Sequence, residues 1–156
     1  MHKITPFLWF RDSADEAANL YVSLFGGTIV EERKWGDGGP APAGSLLSVT
    51  FQIDGRDFIA FNGGPDHPFT DAFSISVTVD TEEELDRAWD GFIADGGSGV
   101  ACGWLRDRFG LFWQIVPKQL EDYMNSTEPG VSEKATSAML SMVKLDIAQI
   151  KAAVEA

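Results

Sequence analysis

The chain has 156 residues, 44% of them hydrophobic, with 11 Phe and 5 Trp, which fits one domain with a sizeable buried core. Twelve basic residues against 24 acidic ones give a net charge of −12, and a field of that sign argues against nucleic acid and membrane surfaces as partners. No apolar run approaches the roughly 18 residues of a membrane span; the lone Cys102 has no internal disulfide partner and Met1-His2-Lys3-Ile4 leads straight into a strand pattern, so no leader and a cytoplasmic location are expected.

Ile4–Phe10 reads as a strand of aromatic and aliphatic residues. Asp12 or Ser13 then caps a helix, with Glu16 close to capping-box spacing. Ala17, Leu20, Tyr21, Leu24 and Phe25 recur at helical spacing until Gly26-Gly27 stops it. Thr28–Trp35 is a second strand, broken by a glycine- and proline-rich loop from Gly36 to Gly44. Leu46–Ile53 and Phe58–Asn62 alternate as strands around Asp54-Gly55, a hairpin signal. A second loop, Gly63–Asp71, carries Pro65 and Pro68 around Asp66-His67.

Phe73–Val79 alternates strictly between apolar and polar residues, so one face packs on a helix and the other meets something wetter. A second helix covers Thr81–Asp95, followed by the turn Gly96-Gly97-Ser98-Gly99. Cys102–Arg106 and Leu111–Val116 form the last hairpin, turning at Asp107–Gly110. Beyond Lys118, Ser132 and Asp146 are candidate caps for a pair of helices folded back on the domain; a role in subunit contact is the alternative.

The two halves repeat. Offset by 68 positions, Ser13 falls on Thr81, Glu16 on Glu84, Ala17 on Leu85 and Tyr21 on Trp89, and the glycine pairs match after a short slip. The expected fold is α+β: two βαβββ modules (about 1–71 and 72–117) forming a curved mixed sheet around one cleft, with residues 118–156 as a helical extension of the same domain.

That arrangement resembles the vicinal oxygen chelate superfamily of glyoxalase I, extradiol dioxygenases and bleomycin-resistance proteins. The sharper resemblance is to its PhnB-like branch, labelled 3-demethylubiquinone-9 3-methyltransferase-like. It is carried by Ile4-Thr5-Pro6-Phe7-Leu8-Trp9-Phe10, Phe61-Asn62-Gly63-Gly64-Pro65, Cys102-Gly103-Trp104-Leu105, Asp107-Arg108-Phe109-Gly110-Leu111 and Trp113-Gln114-Ile115-Val116-Pro117. It covers about three-quarters of the chain and, in this branch, extends into the tail.

The resemblance implies metal-ligand positions, and counting from the family's neighbouring residues places them at Pro6, Ser74, near Phe58 and at Gln114. None is a His or a carboxylate. A divalent metal needs charge compensation and at least three ligands, so the expectation is a site without metal or other cofactor. Gln114 is then either a buried amide serving the backbone or a neutral hydrogen-bonding group in a binding site.

If Pro6, Ser74 and Gln114 face the cleft, alternation turns Leu8, Phe10, Ser76, Phe112 and Val116 the same way, with Phe58, Ala60 and Asn62 on the fourth strand. Phe7, Trp9, Phe73, Ile75, Trp113 and Ile115 then pack under the helices. Trp104 and Arg106 alternate with Leu105, which suits stacking on and pairing with an anionic aromatic ligand. The alternatives are that Trp104 closes the core and that Arg106 pairs with an acidic neighbour. The ligand-binding candidates are therefore Phe10, Asn62, Ser74, Ser76, Trp104, Arg106 and Gln114, and the same wall is equally readable as core.

Asp66 and His67 are the candidates for a general base near the cleft mouth, against the ordinary reading of an exposed loop. Cys102 reads as a small buried hydrophobe rather than a reactive thiol. The glycines at 36–39 follow a strand but open no helix, unlike the usual S-adenosylmethionine or dinucleotide site, which argues against methyl transfer. Three readings remain: a metal-free small-molecule binder, an enzyme using neutral polar groups with His67 or Asp66, and a structural or regulatory domain with a vestigial cleft. A homodimer is expected, because the exposed aromatics of a small acidic domain need cover.

Overall fold

The structure, a computed structural model describing residues 2–156, divides the chain into two compact units, one ending at Pro68 and the other running from Phe69 to Ala156. The first holds β1 (Phe7–Phe10), α1 (Ala14–Phe25), β2 (Thr28–Lys34), β3 (Leu46–Ile53) and β4 (Arg56–Asn62). The second opens with β5 (Ser74–Val79), α2 (Glu82–Ala94), β6 (Ser98–Gly99), β7 (Trp104–Arg106) and β8 (Phe112–Pro117). Each unit builds a four-stranded mixed sheet, in the orders β1-β4-β3-β2 and β5-β8-β7-β6. In both, the first strand runs parallel to the last and the other pairings are antiparallel. The repeat read from the sequence is thus a repeat of topology.

The helices are stopped and seated by equivalent glycines. Gly26 ends α1 in the left-handed region, at φ 71°. The next residue, Gly27, lies so close to β3 that a Cβ there would sit 2.0 Å from the Gln52 carbonyl oxygen. At Gly97 a Cβ would come within 2.7 Å of the Phe92 carbonyl oxygen and 3.0 Å of that of Arg106, on β7. Real Cβ atoms do not approach so closely, so the second glycine of each pair is required by sterics. The pairings agree: Thr28 opposes Gln52 and Ser98 opposes Arg106.

The caps differ from expectation at two helices. Thr81, which the repeat aligns with Ser13, caps α2, accepting the Glu84 N–H at 3.2 Å, while the Glu84 carboxylate reaches back to the Asp80 N–H at 2.8 Å. Ser13 occupies the corresponding position of α1 without a side-chain cap bond. The Ala14 N–H is satisfied instead from β4, by Asn62 Oδ1 at 2.8 Å. In the tail, Gly130 rather than Ser132 precedes the helix.

Both hairpins match the sequence reading. Asp54 and Gly55 have φ of 49° and 70°, the paired positive values of a type I′ turn. The second is organised by the buried Asp107 carboxylate: Oδ1 accepts the Phe109 and Leu111 N–H groups at 3.0 and 2.9 Å, and Oδ2 accepts the Trp113 indole N–H at 3.0 Å.

The tail adds three helices rather than two, α3 (Lys118–Met124), α4 (Val131–Leu140) and α5 (Ile147–Glu155), and belongs to the second unit. Its link from α4 to α5 lends the carbonyls of Met142 and Val143 to the N–H groups of Cys102 and Gly103, both at 2.8 Å. Leu145 is 1% exposed and fills the space over Gly103. Lys144 Nζ binds Asp86 at 2.5 Å and Asp90 at 3.1 Å on α2. Its pKa is raised: burial pushes it down, and the two carboxylates more than reverse that. Asp146 caps α5 as expected, accepting the Gln149 N–H at 2.8 Å. Among the described residues no helix is long and apolar enough to cross a membrane.

Candidate ligand-binding face

The second unit presents the face expected of it. Leu105, Trp113 and Ile115 are fully buried, and the Phe92 ring of α2 lies 5.0 Å from the Trp113 ring, which identifies the side on which α2 packs. Register partners share a face, so Ser74 with Phe112, Ser76 and Trp104 with Gln114, and Arg106 with Phe112 all stand on the opposite side. Five of the seven ligand-binding candidates (Ser74, Ser76, Trp104, Arg106, Gln114) are therefore gathered on one surface. Gln114 Nε2 donates to Ser74 Oγ at 2.9 Å, so the amide is not spent on the backbone. The Arg106 guanidinium carbon lies 6.0 Å from the Phe112 ring centre. The sheet face ends at Thr78, whose hydroxyl donates to Glu121 at 3.3 Å.

The first unit is reversed. Leu8 and Phe10 are each 2% exposed, whereas Phe7 is 57% exposed. Asn62, the register partner of Phe10, reaches the start of α1, and Phe51 contacts Tyr21 of that helix. Leu8, Phe10, Phe58, Ala60 and Asn62 thus lie on the α1 side, and Phe7 and Trp9 point away from it. This corrects the orientation expected for Phe10 and Asn62: one is core and the other a helix cap. The cause is one residue of linker. Arg11 and Asp12 separate β1 from the Ser13 cap, but only Asp80 separates β5 from the Thr81 cap. A shift of one residue exchanges the two faces of a strand. The helices align at the 68-residue offset, and β1 aligns with β5 at one more.

Corrected for that slip, the face of the first unit turned away from α1 carries Phe7, Trp9, Ile59 and Phe61, with Gln52 and the buried Thr50 beside them on β3. Strand alternation alone misses these residues, and the unequal linkers are the signal that finds them. Phe61 lies 5.2 Å from Phe7 and 5.0 Å from Trp9, ring centre to ring centre, the latter edge-on. His67 stacks on Trp9 at 4.1 Å, with the rings 17° apart. The indole N–H donates to the Gly64 carbonyl at 3.1 Å. His67 Nδ1 stands 3.2 Å from the Pro65 carbonyl, which only accepts, so Nδ1 is the donor of that contact. Asp66 is exposed, with φ of 73°. Cys102 is half-buried rather than buried, in a left-handed turn at φ 53°.

The positions counted for a metal do not fit one. Ser74 and Gln114 are neutral and bonded to each other, Pro6 has no side-chain donor, and Phe58 is stacked against Phe51 at 5.3 Å on the α1 side. Among the described residues no group of three or more His, Cys, Asp or Glu is placed to hold a metal ion. A shallow hollow of about 410 Å³ on α4 is lined by Ser132, Glu133, Thr136, Ser137 and Leu140, and contains none of the candidates.

The sequence profile described as 3-demethylubiquinone-9 3-methyltransferase matches residues 2–116. Among solved structures, a putative 3-demethylubiquinone-9 3-methyltransferase, PhnB protein, from Bacillus cereus is 34% identical, with 74% of this chain and 99% of that one covered and a TM-score of 0.66. Protein PA1353 from Pseudomonas aeruginosa is 26% identical, with 75% and 98% covered and a TM-score of 0.59. A glyoxylase/bleomycin resistance protein/dioxygenase domain from Frankia sp. EAN1pec is 13% identical, with 75% and 91% covered and a TM-score of 0.50, a likeness of fold alone. No curated protein matches the chain. The profile stops before the tail, so the extension of the likeness past residue 117 is not part of the match.

Proposed function

The chain belongs to the 3-demethylubiquinone-9 3-methyltransferase family, and on that premise we propose that it is a metal-independent binding protein for an apolar or aromatic small molecule. One observation carries the reading: the open face of the second sheet combines the rings of Trp104 and Phe112 with Ser74, Ser76, Gln114 and Arg106. Apolar surface with a few placed polar groups is the usual composition of a small-molecule site. The aromatic cluster of Phe7, Trp9, Phe61 and His67 gives the first unit an open face of similar character.

Methyl transfer is not part of the proposal. The loop between Gly36 and Gly44 joins β2 to β3 and opens no helix, so it lacks the strand-to-helix turn on which the usual nucleotide-type cofactor sites are built. A homodimer in the cytoplasm completes the reading. A second reading, an enzyme with His67 as base, is favoured by the placement of its ring, held by Trp9 and the Pro65 carbonyl.

A thermal-shift screen against aromatic metabolites and drugs tests binding, and turnover of any hit by wild type but not by His67→Ala would establish the second reading. Untagged protein should contain far less than one equivalent of metal, and EDTA should leave its melting temperature unchanged. A stoichiometric metal refutes metal independence, and light scattering that shows a monomer at micromolar concentration refutes the dimer.

A further inference from the structure

We infer that Arg106 is an anion anchor and that the ligand of this face is a planar aromatic carboxylate; the inference rests on the binding reading above. Arg106 is exposed and, among the described residues, its guanidinium makes neither an ion pair nor a hydrogen bond, in a chain with 24 carboxylates. Arg108, two residues on, has taken the neighbouring acid, Asp95, at 2.8 Å. Arg11, Arg56 and Arg87 also lack acidic partners among the described residues, but the first lies on a loop, the second at the hairpin end of β4 on the same side as Phe58, and the third on the exposed surface of α2. Arg106 alone of the four stands among aromatic rings on the sheet face turned away from the helix, in line with Trp104 and beside Phe112.

Its position is built. A Cβ on Gly110 would lie 3.3 Å from one terminal guanidinium nitrogen and 3.7 Å from Nε, and Gly110 has φ of 95°. The glycine therefore serves the turn and leaves room for the fork of Arg106. The other polar groups of the face are donors as well. With one N–H of Gln114 given to Ser74, the amide keeps a second N–H, and the hydroxyls of Ser74 and Ser76 have theirs to give. No carboxylate stands among these positions on β5, β7 and β8, where Thr78 marks the first contact with an acid, Glu121.

A row of donors ending in a planar cation selects a ligand with acceptors at one end. A carboxylate matches the fork in bidentate geometry, and the rings of Trp104 and Phe112 suit a flat aromatic body. In the first unit the position equivalent to Arg106 is Gln52, bonded to Asp57 at 3.1 Å, so the cation is a property of one half only.

The test uses three matched pairs, benzoate and benzamide, 1-naphthoate and 1-naphthamide, and indole-3-acetate and indole-3-acetamide, titrated calorimetrically into the whole protein. Amide spectra report the Trp104 indole and Gln114 side-chain N–H signals. Each carboxylate that binds is expected to do so about tenfold or more tighter than its amide, moving both signals. Arg106→Gln should abolish that preference by weakening each carboxylate far more than its amide, and Arg106→Lys should restore part of it. Equal affinity within the pairs, or a preference that survives Arg106→Gln, overturns the anion anchor alone. Absence of binding by all six compounds overturns the binding reading and the anchor with it.

Discussion

Asp107→Asn is close to a change of one atom, and the structure says where it hurts. Oδ1 of Asp107 already accepts two backbone N–H groups, so the substituted amide keeps its oxygen there and turns its NH2 toward the Trp113 indole N–H. Two donors then face each other beside residues 4% and 1% exposed. A hydrogen bond to a charged group is worth about 1.5–3 kcal/mol, and a stranded buried donor costs a similar amount, so a loss of about 2–3 kcal/mol is expected. For a chain of this length that is a fall in melting temperature of roughly 4–12 °C. Trp113→Phe removes the indole donor, and Asp107→Asn/Trp113→Phe removes both partners, so the pair should be less destabilised than the sum of the singles by about 1–2 kcal/mol. Urea denaturation of the four proteins supplies the cycle. An Asp107→Asn protein within about 0.5 kcal/mol of wild type, or strictly additive effects, would refute the assignment of the turn's rigidity to this carboxylate.

Gly26→Ala should cost only about 1 kcal/mol, from its positive φ, because nothing lies within 4 Å of the added methyl. Gly27→Ala, aimed at the Gln52 carbonyl, should cost several times as much by the same denaturation assay; equal losses would contradict the close approach of α1's end to β3. Lys144→Ala should destabilise by about 1 kcal/mol at low salt and by much less in 1 M NaCl, since both ion pairs are partly exposed; a salt-independent loss would point to packing instead. Asp57 has its carboxyl held below the usual range by hydrogen bonds from Gln52 and the His2 N–H, which outweigh the opposing effect of burial. A depressed folded-state pKa gives stability that is present above the unfolded value and lost as pH falls through the folded one. Wild type should therefore lose stability more steeply than Asp57→Asn below about pH 4, and parallel curves would dismiss the carboxylate's role.

The repeat is legible in the sequence because helix caps and glycine stops are local devices, read within a few residues. Ser13, Thr81 and the two glycine pairs stand at equivalent places for that reason. The faces of the strands are legible only in the second half. A strand's parity depends on counting through its linker, and the extra residue between Phe10 and Ser13 leaves no compositional trace. Asn62 illustrates the same limit from the other side. Its cap bond to Ala14 joins residues far apart in sequence, whereas Thr81 caps its own helix and can be read directly. Ser74, Ser76, Trp104, Arg106 and Gln114 emerge together because β5, β7 and β8 alternate without interruption.

The link from Met142 to Asp146 makes the second unit dependent on residues that the family's profile does not include. Shortening the chain to the matched region would leave two amide protons of the Cys102-Gly103 turn without their carbonyls and open a leucine-sized void over Gly103. In this protein the segment has become a keystone, set last along the chain yet bearing on a turn laid down long before it.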